Sequence, residues 1–328
     1  MPFSWKRSVT ERYDVFNGDA DGTCSLHQLR LAAPAPEAQL ITGVKRDICL
    51  LSRIQDARSS RITVLDVSLH SNREPLQRLL DAENEVVYID HHFAGEIPHS
   101  PRLTHHINPA PDSCTSLIVD RLLSGRFSPW AICGAFGDNL HAEATAAASR
   151  LSLTEGETGK LREIGELLNY NGYGADLQDL YFPPANLYRD VQDYDNPLDY
   201  HQQSAYLKTL RLGFDNDMSL ALSQPLFASN GSNSIYRFPD SPWARRVSGV
   251  FANLKARENP AGAHALITEN SDGTLRVSVR APLDNCCNAD ILCRSFPSGG
   301  GRGGAAGING LPMDLLDSFI DAFNKTYR

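Results

Sequence analysis

The sequence predicts an α/β protein: an N-terminal domain built on a parallel sheet, followed by a second, smaller α/β domain. Three observations predict it. Over the first half, short apolar runs alternate with segments of helical periodicity, the pattern of a parallel sheet whose strands are joined by right-handed crossovers. Past the middle, the Ser-, Asn- and Pro-rich stretch SQPLFASNGSNSIYRFPDSPW interrupts that pattern and reads as a linker. Beyond it, AHALITENSDGTLRVSVRAP has two alternating runs joined around Asp272 and Gly273, a hairpin signature. The expected boundaries are residues 12–222 for the first domain, 223–243 for the linker and 244–328 for the second domain.

Taken in order, RYDVFN, AQLITGV, RITVLD and EVVYID read as strands, each a short apolar run bounded by polar residues. Between them CSLHQLRLA, DICLLSRIQDA and NREPLQRLLDAE read as helices, the last with Asn72 as its expected N-cap. SCTSLIVDRLLSG reads as a helix stopped at Gly125. PWAICGAFGDN is a further apolar segment, a poorly defined strand closing on Asp138. From Leu151 to Leu222 the pattern is helical and then irregular, and PMDLLDSFIDAFNKTYR reads as a terminal helix. No internal repeat is visible.

With 328 residues, 41% of them hydrophobic and 21% charged, the chain has the size and composition of a globular protein with two cores. It has no apolar run of about eighteen residues, so no membrane span is expected. The opening MPFSWKRSVTERYD has basic residues but no apolar segment behind them, which argues against a secretory signal. Seven cysteines without a CxxC pair suit reduced thiols, and the expected location is the cytoplasm. The net charge of −8 disfavours a grip on long duplex nucleic acid, which generally needs a broad basic face. A small anionic substrate, met by metal ions or a few placed arginines, fits better.

The candidate chemistry lies where the strands end. RYDVFN runs into NGDADG, RITVLD ends at Asp66, and EVVYID ends at Asp90 followed by His91 and His92. Adjacent strands lie about 5 Å apart, so side chains at their tips can converge on one ion. Carboxylate oxygens with imidazole favour a transition metal. Manganese suits an oxygen-rich site of this kind best, with magnesium or cobalt as alternatives.

NGDADGTCS, VLDVS, IDHH and FGDN resemble, in order and approximate spacing, the four motifs of the DHH phosphoesterase superfamily. GGGRGGAAG resembles the GGGHxxAAG signature of the C-terminal domain found in many members, so the likeness is to two-domain, nanoRNase- and RecJ-like proteins. It implies metal ligation by Asp19, Asp66, His91 and Asp138, with Asp66 bridging two metals. It gives catalytic roles to Asp90, which would orient the metal-binding histidine, and to His92, which would face the substrate phosphate. Asn17 stands where the family has the first acid of its opening motif, and Tyr13 where some branches add a histidine. The expectation is therefore one tight metal site and one weaker site to which Asn17 can offer only a neutral oxygen. Asp21 reads equally as an added ligand or as a helix cap.

In the C-terminal signature Arg302 replaces the histidine. Gly300 and Gly301 let backbone N–H groups approach a phosphate, and the guanidinium can bind it through two hydrogen bonds. The glycine run also reads as a flexible linker. His106 and Asn108 follow the DHH turn closely enough to border the substrate, although His105 and His106 also read as a strand pair with one ring in and one out. Ser113, Thr115 and Ser116 read as helix capping, and Cys24 has no obvious base.

The resemblance implies a metal-dependent phosphodiesterase that cleaves short oligonucleotides or linear dinucleotides through a metal-activated water. Phosphomonoesterase action on pAp is the close alternative, with cyclic-dinucleotide phosphodiesterase and polyphosphatase activity behind it. A different class, a nucleotide-binding protein with a reduced metal site, is motivated by Asn17. A homodimer is left open.

Overall fold

In the computed structural model, which describes residues 11–328, the chain forms two units that divide at Arg211/Leu212. The first is built on five parallel strands: β1 (Arg12–Phe16), β2 (Gln39–Ile41), β3 (Arg61–Leu65), β4 (Glu85–Asp90) and β5 (Leu103–Ile107), in the order β2-β1-β3-β4-β5. Helix α1 (Ala20–Ala32) follows β1, and α2 (Arg73–Asp81) follows β3. Side chains alternate between two buried faces. Val15, Val64 and Tyr88 pack under α2 and the 3-10 turn Leu50–Ile54, whereas Phe16, Leu65 and Ile89 meet Leu26, Ile118 and Tyr188. Burial on both faces is why these strands read as near-continuous apolar runs.

Asn72 ends up in a different role from the expected cap. Its side chain does not cap α2 but accepts from Leu51 N and donates to Ile48 O and Ser68 O. Full burial makes these bonds obligatory, and they fasten the 3-10 turn, which replaces the helix expected there.

Helices α3 (Thr115–Leu122), α4 (Ser128–Gly137), α5 (His141–Arg150), α6 (Glu155–Gly172), α7 (Pro184–Gln192) and α8 (Pro197–Gln203) complete the first unit, and α9 (Ala205–Leu222) runs across the division. The segment ending at Asp138 is thus a helix, α4, and not a strand. Its apolar character reflects burial on all sides between α1, α3 and α6, which periodicity alone cannot tell from a buried strand. Small residues permit the crossing: a Cβ on Gly137 would lie 2.3 Å from Ala20 Cβ, and one on Gly165 would lie 2.1 Å from Cys133 O.

The second unit carries β6 (Leu226–Asn230), β7 (Asn233–Phe238), α10 (Pro242–Glu258), β8 (His264–Glu269), β9 (Leu275–Arg280), α11 (Ala289–Arg294), β10 (Gly299–Arg302), β11 (Ala305–Leu311) and α12 (Leu316–Thr326). Its sheet has the order β10-β11-β9-β8-β7-β6, antiparallel except for β7 beside β8, which α10 connects. Phe319 and Phe323 of α12 cover one face, and Phe251 of α10 covers the other against Tyr236 and Phe238.

One sequence expectation is corrected here, and one alternative reading is set aside. Residues 223–243 are not a linker, because most of them form β6 and β7; the Ser and Asn content suits an exposed edge strand and its Gly231 turn, where φ is +60°. The glycine run is not a flexible linker either, but the hairpin β10–β11. Gly301 at φ +136° and Gly299, whose Cβ would meet Cys293 O at 1.7 Å, explain why glycine is required.

Candidate metal centre

The register of the first sheet aligns its tips. Phe16, Leu65 and Ile89 lie side by side, so Asn17, Asp66 and Asp90 stand level at the carboxyl edge. The next backbone bonds, Asn17 N to Leu65 O at 3.2 Å and Asp66 N to Ile89 O at 3.1 Å, hold them there. Asp66 has φ +56°, a sparsely populated conformation for a non-glycine residue and one that clusters at functional sites. Thr115 Oγ1 donates to its Oδ1 at 3.2 Å.

His91 supplies the imidazole. Its Nδ1 lies 3.0 Å from Ser113 O; a carbonyl only accepts, so Nδ1 carries the proton and Nε2 presents a lone pair. That Nε2 faces Asp66 Oδ1 at 3.4 Å and Asp138 Oδ2 at 3.7 Å. Asp66, His91 and His92 bring ligand atoms within 4.8 Å of one another, and so do Asp21, His91 and Asp138. The structure therefore unites Asp66, His91 and Asp138, three of the four expected ligands, around one imidazole.

Asp90 departs from its expected role. Fully buried, it accepts from His91 N at 2.8 Å and holds the His92 ring through Nδ1 at 2.7 Å. It orients His92, while the Ser113 carbonyl orients His91. Burial works against a charged His92, but the Asp90 carboxylate outweighs it and raises the His92 pKa.

Asp19 and Asp21 both act at helix starts. Asp19 caps α1 by accepting from Gly22 N at 3.1 Å. Asp21 caps α3, with its two oxygens accepting from Thr115 N and Ser116 N at 2.8 Å each. Two helix N-termini therefore face the acids and lower the cost of grouping them. Asp21 is cap and candidate ligand together.

Burial and like charge still work against ionisation. Burial, then the charges of Asp19, Asp21, Asp138 and Asp90, push the Asp66 carboxyl well above the usual carboxylate range. Burial and Asp21 push Asp138 up to about 6 against the pull of Lys45. Burial opposes ionisation of Asp19 too, yet Lys45 holds its pKa below the ordinary value. A buried carboxylate cluster with an oriented imidazole lone pair has the donor chemistry for a divalent cation, whose charge would offset the crowding of the acids.

Lys45 escaped the sequence reading. It follows β2, the neighbour of β1, and its Nζ lies 2.6 Å from Asp19 Oδ2, 2.9 Å from Asn169 Oδ1 and 3.6 Å from Asp138 Oδ1. The signal available was a lysine just beyond a strand tip, in GVKRD; Asn169, from mid-helix, gave none. Asn17 donates through Nδ2 to Lys45 O at 3.3 Å, and its buried Oδ1 has no partner among the described residues.

The other expected residues fall into place as follows. Tyr13 packs into the core below the sheet, with its hydroxyl on Glu11. His106 is half-buried on β5 beside the more exposed His105. Asn108 donates from its backbone to Asp90 O at 3.1 Å and closes a turn on Ala110 N. Cys24 is buried, and desolvation followed by Cys133 pushes its thiol well up, so it is no nucleophile. In the second unit Gly300, Gly301 and Arg302 lie on β10, the sheet edge, with Arg302 exposed.

No protein-family model and no curated protein matches the chain. Solved structures do. A manganese-bound exonuclease RecJ aligns over 97% of this chain and 90% of its own, with a TM-score of 0.63 at 17% identity. A pGpG-specific phosphodiesterase, PggH from Vibrio cholerae, aligns over 97% and 99% with a TM-score of 0.57 at 14% identity. An exopolyphosphatase-related protein from Bacteroides fragilis aligns over 98% and 92% with a TM-score of 0.51 at 15% identity. At such identities the likeness is one of fold: the chain has the two-domain fold of the DHH phosphoesterases. The motifs read from the sequence lie on the elements described above.

Proposed function

We propose that this protein is a divalent-metal-dependent phosphodiesterase acting on short oligonucleotides or linear dinucleotides. The observation that carries the reading is the convergence of Asp66, Asp138 and the Nε2 lone pair of His91 at the tips of β3, α4 and β4. A divalent ion held there by Asp66, His91 and Asp138 would supply Lewis acidity to phosphate and water. The remaining work falls to side chains. His92, backed by Asp90 and partly exposed, presents a hydrogen-bond donor to a non-bridging phosphate oxygen. Arg302, exposed on the glycine hairpin of the second unit, offers a guanidinium suited to a phosphate. Manganese is the expected ion, with magnesium or cobalt as substitutes, and the expected location is the cytoplasm.

A short substrate is favoured by the net charge of −8, and the pGpG-specific phosphodiesterase among the structures of like fold motivates a dinucleotide. The exopolyphosphatase-related structure motivates the second reading, a polyphosphatase. A panel with Mn2+ separates them: a linear dinucleotide, a longer RNA, pAp, a cyclic dinucleotide and polyphosphate. Mononucleotide release from the dinucleotide is expected. Orthophosphate release from pAp or polyphosphate, with the dinucleotide intact, would replace this reading.

A further inference from the structure

Lys45 lies in none of the motifs, yet it is built into the centre on every side. Its ammonium rests among the oxygens of Asp19, Asn169 and Asp138, over the face of Tyr173 at 5.6 Å. Its backbone is fixed at both ends: N donates to Gly172 O at 2.9 Å, and O accepts from Asn17 Nδ2. Three oxygens and an aromatic face make a cage for a cation.

The cage is centred on Asp19, with Asp138 at its far edge 3.6 Å from the ammonium. The ligand atoms that converge tightly enough for an ion belong to Asp66, His91 and His92, and to Asp21, His91 and Asp138. Neither set includes Asp19. The two sets share His91, whereas Asp19 spends one oxygen on Gly22 N and the other on Lys45. On the Asp19 side the chain has Asn17, an amide that brings no charge. A neutral ligand and a resident ammonium are what one side of a two-cation site needs if a protein side chain supplies its positive charge.

We propose that Lys45 is a resident cation of the centre: its ammonium occupies the Asp19–Asn17 side, and the protein takes one divalent ion, on the His91 side. Lys45 is then a positioning residue that fixes Asp19 and sets the metal count. The inference rests on the metal-dependent reading above and sharpens it, since the expected weak second site becomes a site filled by the chain itself.

The test is metal counting on the full chain by titration calorimetry and elemental analysis, with Mn2+ alone as probe. Wild type should bind one ion per chain. Lys45→Met frees the Asp19 carboxylate and leaves the unpartnered Asn17 Oδ1 beside it, so it should bind two. The electron paramagnetic resonance spectrum of wild type saturated with Mn2+ should be that of an isolated ion, a readout that does not depend on the variant folding. Two ions in wild type, an exchange-coupled pair in its spectrum, or a single ion in Lys45→Met would each overturn the proposal while leaving the phosphodiesterase reading intact. No binding by wild type would remove both.

Discussion

The division of labour between two adjacent histidines is set by what holds each ring. His91 has its Nδ1 on a backbone carbonyl and its Nε2 toward two carboxylates, whereas His92 has its Nδ1 on Asp90 and is more exposed. We expect His91→Gln to weaken Mn2+ binding by more than about tenfold, because a carboxamide is a poorer ligand than imidazole. His92→Gln should weaken Mn2+ binding less than His91→Gln does and lower kcat by about 100- to 1000-fold, the range for removing one donor to a developing charge. Calorimetry and steady-state kinetics on both variants check the split. The ligand residues were legible because each follows an apolar run. Which partner orients which ring was not, since Ser113 reaches His91 only through folding. Lys45 was missed because its contacts come from α6, from the end of α4 and from the turn after β1.

At the scale of elements, the placement of Asp138 depends on how closely α4 approaches α6. Alanine is preferred over glycine in a helix interior by about 1 kcal/mol, while forced overpacking costs about 1–3 kcal/mol. At Gly165 the added methyl would sit 2.1 Å from the Cys133 carbonyl, so overpacking wins. Gly165→Ala should lower stability and, by shifting α4, weaken metal binding. On the same helix Gly159 has nothing within 4 Å of a built Cβ, so Gly159→Ala should be neutral or stabilising by up to about 1 kcal/mol. Denaturant titrations of the pair test this, and equal losses would contradict it. A buried glycine- and alanine-rich helix looks like a strand in sequence, which is why α4 was misread while β1 to β4 were not. The β10–β11 hairpin was concealed for the opposite reason, because its glycines are there for backbone geometry and carry no periodic signal. We expect Arg302→Met, at its exposed end, to raise KM for a dinucleotide by about tenfold with Mn2+ binding unchanged, the mark of a phosphate contact worth about 1.4 kcal/mol.

At the scale of the molecule, the first unit carries a pH-sensitive element in its core. His27 on α1 is buried, packs edge-on against Trp130 at 4.6 Å and donates from Nε2 to Tyr194 O at 2.9 Å. Desolvation lowers its pKa from 6.5 to about 4. Because the folded pKa is the lower one, the unfolded chain takes up a proton first, and stability falls as the pH drops from 6.5 toward 4. A difference of that size corresponds to about 3 kcal/mol, at about 1.4 kcal/mol per unit. His27→Gln can keep a donor to Tyr194 O, and should show a smaller fall in melting temperature between pH 7 and pH 5 than wild type. The α/β class and the two-unit organisation were legible in alternation and motif order. The boundary was not: α9 runs through the division, and polar edge strands imitate a linker.

The central claim, that Asp66, His91 and Asp138 form the working centre of a metal-dependent phosphodiesterase, is met most directly by incubating a linear dinucleotide with Mn2+ and wild type or Asp66→Asn. Asparagine tolerates the positive φ at this position, so the exchange removes charge and little else. We expect release of mononucleotides by wild type, abolished by chelation, and a loss of more than about 100-fold in the variant. A dinucleotide left intact by wild type, or cleaved equally well by Asp66→Asn, would contradict the account.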